Sequence, residues 1–467
     1  MASTAFEAGE TLPVAITRTL WAAAGGGPDL LNKLEITGRG DLPSVFPVSD
    51  LATAAIGVAG LAIAELIAVR FGETPRVRVD RRLSSVWFGL SVRPQGWPLP
   101  SLWDPLSADY ETENGWIRLH MNAPHHRDAA LSVLKAEPDK QSVAGQAAHW
   151  QANDLETAVV TAGGCAATMR SIAEWKTHPQ GSAVAGEPLF YILTQDSGST
   201  RDWDGPRHRP LAGLRILDLT RVLSGPIATR FLAGFGAEVL RIDPPWWDEP
   251  IVALEVALGK RCARLDLRAP SNRELFTQLL SEADVLIHGY RPDALARLGF
   301  DAEQCQKIRP GLINVSLDAY GWTGPWKGRR GFDSLVQMSS GIADAGMKRL
   351  GKTRPTPLPV QALDHSVGYF LAAAAIRGLT NRFKSGAGFE ARTSLARMAA
   401  LLIDQPGAQE NAPIAPEEPS DLSENVEKTS WGPARRIKPP VIVDGAPLRW
   451  DLPASALGSS EPKWQSR

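Results

Sequence analysis

The chain has 467 residues, of which 43% are hydrophobic and 22% are charged, and it carries a formal net charge of -1. This composition is typical of a soluble globular protein of two or three domains, and the balanced charge argues against a general attraction to nucleic acid or to an anionic membrane. Three widely spaced cysteines, Cys165, Cys262 and Cys305, lack histidine at ligand spacing, which argues against a metal site and a disulfide scaffold and indicates a reducing, cytoplasmic setting.

Residues 1–44 show no pattern to which we assign a role, and they precede an apolar, Ala-rich run. This run, Leu51–Val69, contains Glu65 and ends at Arg70. We expect a helix packed inside the protein, since a glutamate in so short a span would be costly in lipid. Valine then alternates with charge over Arg76–Asp80, which is typical of a strand.

A smaller α+β domain is predicted within residues 45–194, after the Ala-rich helix. Asn114-Gly115 lies between two strand-like runs of the segment Tyr110–His120 and predicts a hairpin. Helical patterns follow at Arg127–Leu134 and Asp154–Ala162. These elements indicate a small antiparallel sheet with helices beside it.

Three histidines of this region, His125, His126 and His178, are candidates for metal ligands. They have no acidic or cysteine partner at helical spacing, so surface or helix-capping roles are favoured. The polar segment that follows, residues 195–210, is rich in residues that break helices and strands, and it predicts a linker between domains.

From residue 211 strands and helices alternate regularly. The first three segments read as strand, helix and strand, a βαβ unit with parallel strands, over Leu214–Thr220, Ser224–Gly234 and Ala237–Asp243. The alternation continues at Arg264–Arg268, Arg273–Ala283, Asp284–His288 and Gly311–Leu317. We therefore predict an α/β fold, with residues 211–403 forming a large domain around a Rossmann-like open parallel sheet. A flexible linker at 404–430 and a tail at 431–467 with one hairpin follow.

Asp364 stands at a junction within the large domain. An apolar segment from Pro359 leads to it, and a helix rich in small residues follows as far as Arg382. An aspartate at such a position caps the helix, or it acts as a nucleophile. Asp50 begins a similar Ala-rich helix, so the chain either contains a diverged internal repeat or holds two helices that are alike by chance.

Several familiar nucleotide and hydrolase motifs are absent from the sequence. No GxGxxG follows the first strand of the large domain, which argues against a dehydrogenase, and no GxxxxGK[ST] or GxSxG occurs. Basic residues do stand at predicted strand ends and turns, where open α/β sheets bind their ligands, and together they suit a polyphosphate. They are Lys260, Arg261, Arg268, Arg291, Arg297, Lys327, Arg329 and Arg330.

A series of short motifs makes this region similar to a known family. The motifs are Leu217-Asp-Leu-Thr-Arg-Val-Leu-Ser-Gly-Pro226, Gly236–Asp243, Gly259-Lys-Arg261, Tyr290-Arg-Pro292, Leu298-Gly-Phe300, Gly321-Trp-Thr-Gly-Pro325 and Gly331–Gly341. In this order they resemble the successive signatures of the family III CoA-transferases, which include formyl-CoA transferase, carnitine CoA-transferases and α-methylacyl-CoA racemase.

The resemblance implies a Rossmann-like large domain with a smaller domain, assembled as an interlocked homodimer. It implies an acyl-CoA thioester and a carboxylic acid acceptor as substrates, with no permanently bound cofactor, no metal, and no nucleic acid or membrane as partner. The family's catalytic aspartate opens a helix and has a glycine four residues later, which corresponds to Asp364 with Gly368. By the same resemblance, the contacts to coenzyme A fall on Val222, Leu223, Leu265, Arg268, Tyr290, Arg297 and Arg330.

The implied chemistry is attack of Asp364 on the thioester, giving a mixed anhydride that the CoA thiolate converts into an aspartyl-CoA thioester. The chain departs from the family at two points. Phe332 stands where the racemase branch has histidine, and residues 45–190 resemble the trailing part of a family member although they precede the leading part. The chain thus resembles a rearranged or shortened tandem form, and an isomerase or racemase and a non-catalytic CoA-binding homologue remain alternatives.

Overall fold

A computed structural model describes residues 9–195, 203–291, 293–408 and 412–465. Residues 196–202, a little under half of the predicted linker at 195–210, lie outside these ranges. The first half of the chain contains eight helices within the described residues: α1 Leu12–Ala23, α2 Val48–Phe71, α3 Arg81–Trp87, α4 Pro124–Leu134, α5 Lys140–Ala147, α6 Ala152–Thr161, α7 Ile172–Thr177 and α8 Pro179–Ala185. Its described strands are β1 Leu34–Thr37, β2 Val77–Asp80, β3 Val92–Pro94, β4 Ala108–Thr112, β5 Gly115–Leu119, β6 Ala166–Thr168 and β7 Tyr191–Gln195.

The second half begins with the predicted βαβ unit. Its helices are α9 Ser224–Gly234, α10 Pro250–Val256, α11 Pro270–Ser281, α12 Ala302–Ile308, α13 Asp333–Ser339, α14 Ile342–Arg349, α15 Ala362–Ser385 and α16 Leu395–Ile403. Its strands are β8 Arg215–Leu219, β9 Glu238–Asp243, β10 Lys260–Arg264, β11 Val285–His288, β12 Ile313–Asp318, β13 Gly388–Ser394, β14 Glu427–Thr429, β15 Gly432–Arg436 and β16 Val441–Val443. Three short 3-10 helices complete the described secondary structure, at Pro28–Lys33, Ala296–Leu298 and Pro419–Asp421.

The largest sheet has seven strands in the order β10-β9-β8-β11-β12-β13-β7. Its first six strands are parallel, and their order along the sheet is the one that the Rossmann fold uses. The central strand β8 is buried along its whole length, as expected when helices cover both faces of a parallel sheet. The predicted α/β fold with an open parallel sheet is therefore confirmed.

The seventh strand comes from the other half of the chain. β7 pairs antiparallel with β13, from Gly388 opposite Gln195 to Arg392 opposite Tyr191. The first half thus closes one edge of the sheet that the second half builds, which covers backbone groups that an edge strand would otherwise leave unpaired.

The smaller α+β unit is built around a three-stranded antiparallel sheet, β4-β5-β6. The hairpin predicted at Asn114-Gly115 is present, with Thr112 opposite Gly115 at its end. Ile117 of this sheet packs in one core cluster with Leu155 and Val159 of α6. Apolar packing of helix on sheet therefore holds this unit together.

The two Ala-rich helices, α2 and α15, pack against each other in the middle of the protein. α2 is long and apolar enough to cross a bilayer, but 83% of its most apolar 18-residue window is buried inside the protein. Its one acid outside the first turn, Glu65, forms a salt bridge with Arg377 of α15. The prediction of a helix packed inside the protein is therefore confirmed.

α2 and α15 also share their local geometry. Each has 24 residues, carries an aspartate at its third position and ends at a glycine in the left-handed conformation, Gly72 in one and Gly386 in the other. Each connects two parallel strands, β1 with β2 and β12 with β13. These shared features support the hypothesis of an internal repeat.

Two expectations for charged and terminal segments are corrected by the structure. Lys260 does not face a ligand, because its side chain is fully buried and its ammonium donates to Asp218 at 2.9 Å. The predicted terminal hairpin is much shorter than expected, because β16 pairs antiparallel with β2 and a single antiparallel bridge, Val443 with Ala446, closes the turn after it. The predicted linker at 404–430 contacts the first half of the chain. Its Asp421 forms a salt bridge with Arg82 at 2.6 Å.

A buried carboxylate connects three distant segments. Glu255 of α10 is fully buried and accepts a hydrogen bond from the Ser91 hydroxyl at 2.6 Å. It also forms salt bridges with Arg230 of α9 and with Arg436 of β15, the latter at 3.3 Å. The first half, the sheet domain and the tail therefore meet at one charged cluster.

Candidate active site

A large cavity of about 390 Å³ opens at the carboxyl ends of β8, β11 and β12. β8 and β11 are neighbours whose connections run in opposite directions along the sheet, so this is the point where open α/β sheets bind their ligands. The cavity is lined by His125, His126, Leu219–Val222, Ser224, Gly225, Trp246, Trp247, Gly289–Arg291, Ala294, Leu317–Ala319, Arg329–Phe332, Asp364 and Leu395.

The turn between β8 and α9 forms one wall of the large cavity. Val222 has a φ of 63°, a left-handed backbone conformation that costs a β-branched residue energy. Its amide donates to the Glu249 carboxylate at 2.8 Å, which helps to hold the turn. The Ser224 hydroxyl donates to the backbone carbonyl of Asp364 at 2.9 Å, so the turn is fixed to the first turn of α15.

Gly368 of α15 explains how closely α15 approaches α9. A Cβ atom at this position would lie 2.5 Å from the Ser224 carbonyl oxygen and 2.8 Å from the Ile227 side chain. Any larger residue would therefore push α15 away from α9. The glycine four residues after Asp364 is a packing requirement that keeps Asp364 beside the cavity.

Three arginines of the cavity wall, Arg221, Arg291 and Arg330, form no salt bridge with any residue that the structure describes. Burial and the charge of Arg330 lower the pKa of Arg291, so these cations lie close enough to repel one another. A bound anion would relieve that repulsion, and guanidinium groups match phosphate geometry. Arg329 is different, because it pairs with Glu156 at 2.8 Å.

Asp364 lies at the third position of α15, beyond the N-cap residue Gln361, and its carboxylate makes no capping hydrogen bond. The capping interpretation is therefore wrong. Its side chain is buried except where it faces the cavities, and its backbone amide donates to Asp333 at 2.9 Å. Burial, reinforced by the negative charge of Asp333, raises the pKa of Asp364 well above its ordinary value.

Asp333 lies behind Asp364, whose backbone amide it binds. It is fully buried at the start of α13, and its carboxylate also accepts from the Gln337 amide. Burial raises the pKa of Asp333 as well, although the hydrogen bonds it accepts oppose that rise. Two buried carboxylates that interact in this way share their protons, and the acid limb of a pH profile then reports the pair.

We expect Asp333→Asn to move the acid limb of the activity profile toward lower pH by roughly one unit. A nucleophilic Asp364, which the family resemblance implies, would react in its ionised form, so activity would rise with pH through its pKa. Removing the neighbouring negative charge lowers that pKa, and the rise then begins at lower pH. The measurement is kcat/KM against pH. Asp344→Asn is the matched control, because Asp344 pairs with Lys348 outside both cavities. An unmoved limb in the Asp333 variant would contradict the coupling.

A small cavity of about 230 Å³ adjoins the large one, and Val222, Phe332 and Asp364 line both. The first half of the chain supplies one side of it, with Phe88–Leu90, Leu102, Trp103, His120 and Asn122. The second half supplies the remaining lining residues, which are Leu223, Val252, Glu255, Pro359–Gln361 and His365. Asp364 therefore stands where two compartments of different composition meet.

The residues predicted as coenzyme A contacts fall into two groups. Val222, Tyr290 and Arg330 line the large cavity, and Leu223 lines the small one. Three others line neither cavity. Leu265 is buried in the core, Arg297 is exposed and paired with Asp293, and Arg268 pairs with Asp266 while its guanidinium stacks on Trp246.

The histidines also fall into two groups. His178 caps α8 by accepting from the Gln180 amide at 3.1 Å, so the capping role is confirmed there. His125 and His126 instead line the large cavity, where burial lowers the pKa of each. His120, which the sequence did not single out, stacks on Phe332 with ring centroids 3.8 Å apart. No local pattern indicated that contact.

Residues 211–433 match the sequence profile of CoA-transferase family III. This part of the chain belongs to that family. The family III region includes the six parallel strands, Asp364 and Asp333, and most of the lining of the large cavity.

Several curated relatives of the family III region are named as CoA-transferases. Succinyl-CoA:glutarate CoA-transferase of Mus musculus is 34% identical over 194 residues, which are 38% of this chain and 44% of the relative. Acetyl-coenzyme A transferase nodX of Hypoxylon pulicicidum is 31% identical over 238 residues, or 48% of this chain and 40% of the relative. The chain spans about half the length of the curated relatives it matches.

Two solved structures are similar to parts of the chain. Rv3272 from M. tuberculosis has a TM-score of 0.39 and 28% identity, covering 42% of this chain and 57% of that protein. A CAIB/BAIF family protein from Brucella suis has a TM-score of 0.38 and 26% identity, covering 48% of this chain and 65% of that protein.

Proposed function

We propose that the protein transfers coenzyme A from an acyl-CoA to a carboxylic acid, with Asp364 as the covalent nucleophile. The observation that carries the proposal is the position of Asp364 between a cation-lined cavity and a mostly apolar one. A CoA thioester has the same division, with phosphates at one end and an acyl group at the other. The CoA-transferase names of the relatives support the same chemistry.

In the first half-reaction the Asp364 carboxylate attacks the thioester carbonyl carbon. The carbon–sulfur bond breaks, CoA leaves as a thiolate, and an acyl-aspartyl anhydride forms. The thiolate then attacks the aspartyl carbonyl carbon and expels the donor acid as its carboxylate. Burial removes water from the carboxylate and protects both intermediates from hydrolysis.

The second half-reaction repeats these steps with the acceptor. The acceptor carboxylate attacks the aspartyl-CoA thioester and releases the thiolate, which then attacks the acceptor carbonyl carbon. The products are the acceptor's CoA thioester and free Asp364 carboxylate, so no net proton or electron is exchanged. The start of α9, where Ser224 and Gly225 line the large cavity, offers backbone N–H groups to developing negative charge.

Arg221, Arg291 and Arg330 are suited to bind the phosphates of coenzyme A, and Tyr290, whose hydroxyl accepts from Arg221 at 3.2 Å, extends that wall. Contacts from Leu265, Arg268 and Arg297 stay predictions of the family resemblance. The same holds for a homodimer and for a cytoplasmic location.

The test is chemical trapping of the aspartyl intermediate. Protein incubated with an acyl-CoA and then with hydroxylamine should carry an aspartyl hydroxamate, located by mass spectrometry on the peptide that contains Asp364. Protein without acyl-CoA is the control. Modification at any other residue would overturn the assignment, and CoA binding without modification would favour the non-catalytic alternative.

An acyl-CoA isomerase is the second candidate, because a neutral histidine lines the small cavity together with Asp364. Burial and the neighbouring Arg118 and His126 lower the pKa of His120 to about 3, so its imidazole stays neutral but weakly basic, and Asp364 would be the base that removes the α-proton. Exchange of the α-proton with deuterated solvent, in the absence of an acceptor acid, would identify this activity.

A further inference from the structure

We propose that the small cavity selects uncharged acyl groups of about the size of a phenylacetyl group, in both the donor and the acceptor. This inference rests on the proposed function, since it assigns the small cavity to the acyl group that Asp364 receives. It names the substrate class of the site, and it differs from the dicarboxylic substrates in the names of some relatives.

Aromatic rings form much of the cavity wall. His120 stacks on Phe332, and Trp103 meets His120 edge-on with ring centroids 5.7 Å apart. Phe88 lies on another side and stacks on His365 at 5.1 Å. Such walls attract flat apolar groups through burial and through offset or edge-on ring contacts.

The charge of the wall excludes a second carboxylate. No Lys or Arg is among the described residues that line the small cavity. Its two acids are Asp364 and Glu255, and the arginines nearest to Glu255, Arg230 and Arg436, are already paired with it. Arg118, which lies over the Trp103 ring, is paired with Asp109 at 2.8 Å.

The histidines of the wall supply no positive charge either. His120 and His365 are buried, and burial lowers the pKa of both below neutrality. A succinyl or glutaryl group would therefore place a free carboxylate in a pocket with no cation and two nearby acids. An unpaired buried charge is among the most costly groups to bind.

The volume sets the size of the acyl group. A cavity of about 150 Å³ in another protein binds benzene. The small cavity, at about 230 Å³, has room for one ring and a short connection to the thioester carbon. Val252 and Val360 line it with further apolar surface.

The experiment compares phenylacetyl-CoA with succinyl-CoA on the full-length protein. The quantity measured is the second-order rate constant for modification of Asp364, trapped with hydroxylamine, so no acceptor acid is needed. We expect phenylacetyl-CoA to react at least about 100-fold faster. Equal rates, or faster reaction of succinyl-CoA, would overturn the inference and leave the proposed function standing. No modification by either thioester would overturn the proposed function itself.

A cation placed in the wall should change this preference. Leu102 lines the small cavity yet is 40% exposed, so Leu102→Arg is compatible with folding. We expect it to raise the ratio of the succinyl to the phenylacetyl rate constant by about 10-fold or more. Leu350→Arg, at an exposed leucine outside both cavities, is the matched control and should leave the ratio unchanged. An unchanged ratio in the Leu102→Arg variant would contradict the assignment of the small cavity to the acyl group.

Discussion

An Asp364→Asn variant is expected to lose at least about 10⁴-fold in kcat for CoA transfer, because an amide cannot form the anhydride on which the reaction depends. The fold should survive the change. The Asp364 carboxylate makes no hydrogen bond within the described residues, and its burial disfavours the charged form. We therefore expect an unchanged or higher thermal midpoint together with the loss of turnover, measured on the same preparation.

The chain supplies its own matched control in Asp50. This aspartate has the same position in α2 that Asp364 has in α15, but its carboxylate is paired with Arg81 at 2.7 Å. Asp50→Asn should therefore lower the thermal midpoint and leave kcat close to that of the wild type. A folded Asp50→Asn protein that loses turnover as fully as Asp364→Asn would contradict the assignment of a single nucleophile.

The largest effect on stability is expected for Glu255→Gln, which should lower the free energy of unfolding by about 3–5 kcal/mol. Glutamine keeps the shape of the side chain but leaves Arg230 buried without its carboxylate partner. Arg436 keeps a second salt bridge, with Glu427 at 2.6 Å. The measurement is urea or thermal unfolding of the wild type and of the Glu255→Gln variant at neutral pH, without substrate.

The difference in the free energy of unfolding between the wild type and the Glu255→Gln variant should depend on pH. Burial opposes ionisation of Glu255, but Arg230 and Arg436 prevail and hold the pKa of Glu255 below its ordinary value. The ionised pair therefore contributes fully above the unfolded pKa of about 4.3, and its contribution is lost as the pH falls through the lower folded pKa. Asp444→Asn is the control, since the Arg78–Asp444 pair is exposed and should be worth less than about 1 kcal/mol. Equal effects of both substitutions would contradict the prediction.

The parallel sheet could be predicted from the sequence because its signals are local. β8, α9 and β9 were found almost at their observed bounds, since an apolar run, a Ser-Gly-Pro start and a second apolar run follow one another directly. β10 was placed about four residues too late. Its first residues, Lys260 and Arg261, look like surface charges until Asp218 on another strand is seen to neutralise the lysine.

The site could be predicted only where a motif marked it. Asp364, Val222 and Tyr290 lie in such motifs, Arg330 directly precedes one, and all four line the cavities. The apolar wall could not be predicted, because it brings Phe88, Trp103 and His120 against residues more than 100 positions later in the chain. Asp333 lies inside the Gly331–Gly341 motif, so its place near the site could be predicted, but its contact with the Asp364 amide could not.

The pairing of β7 with β13 and the two-sided wall of the small cavity have a consequence for assembly. Because one chain supplies both sides of the small cavity, the two sides meet at an effective concentration that is set by their covalent connection and not by the concentration of protein. Forming the compartment then requires no encounter between subunits. A second copy of the chain, where one is bound, would be free to serve stability or regulation while each copy keeps its own compartment.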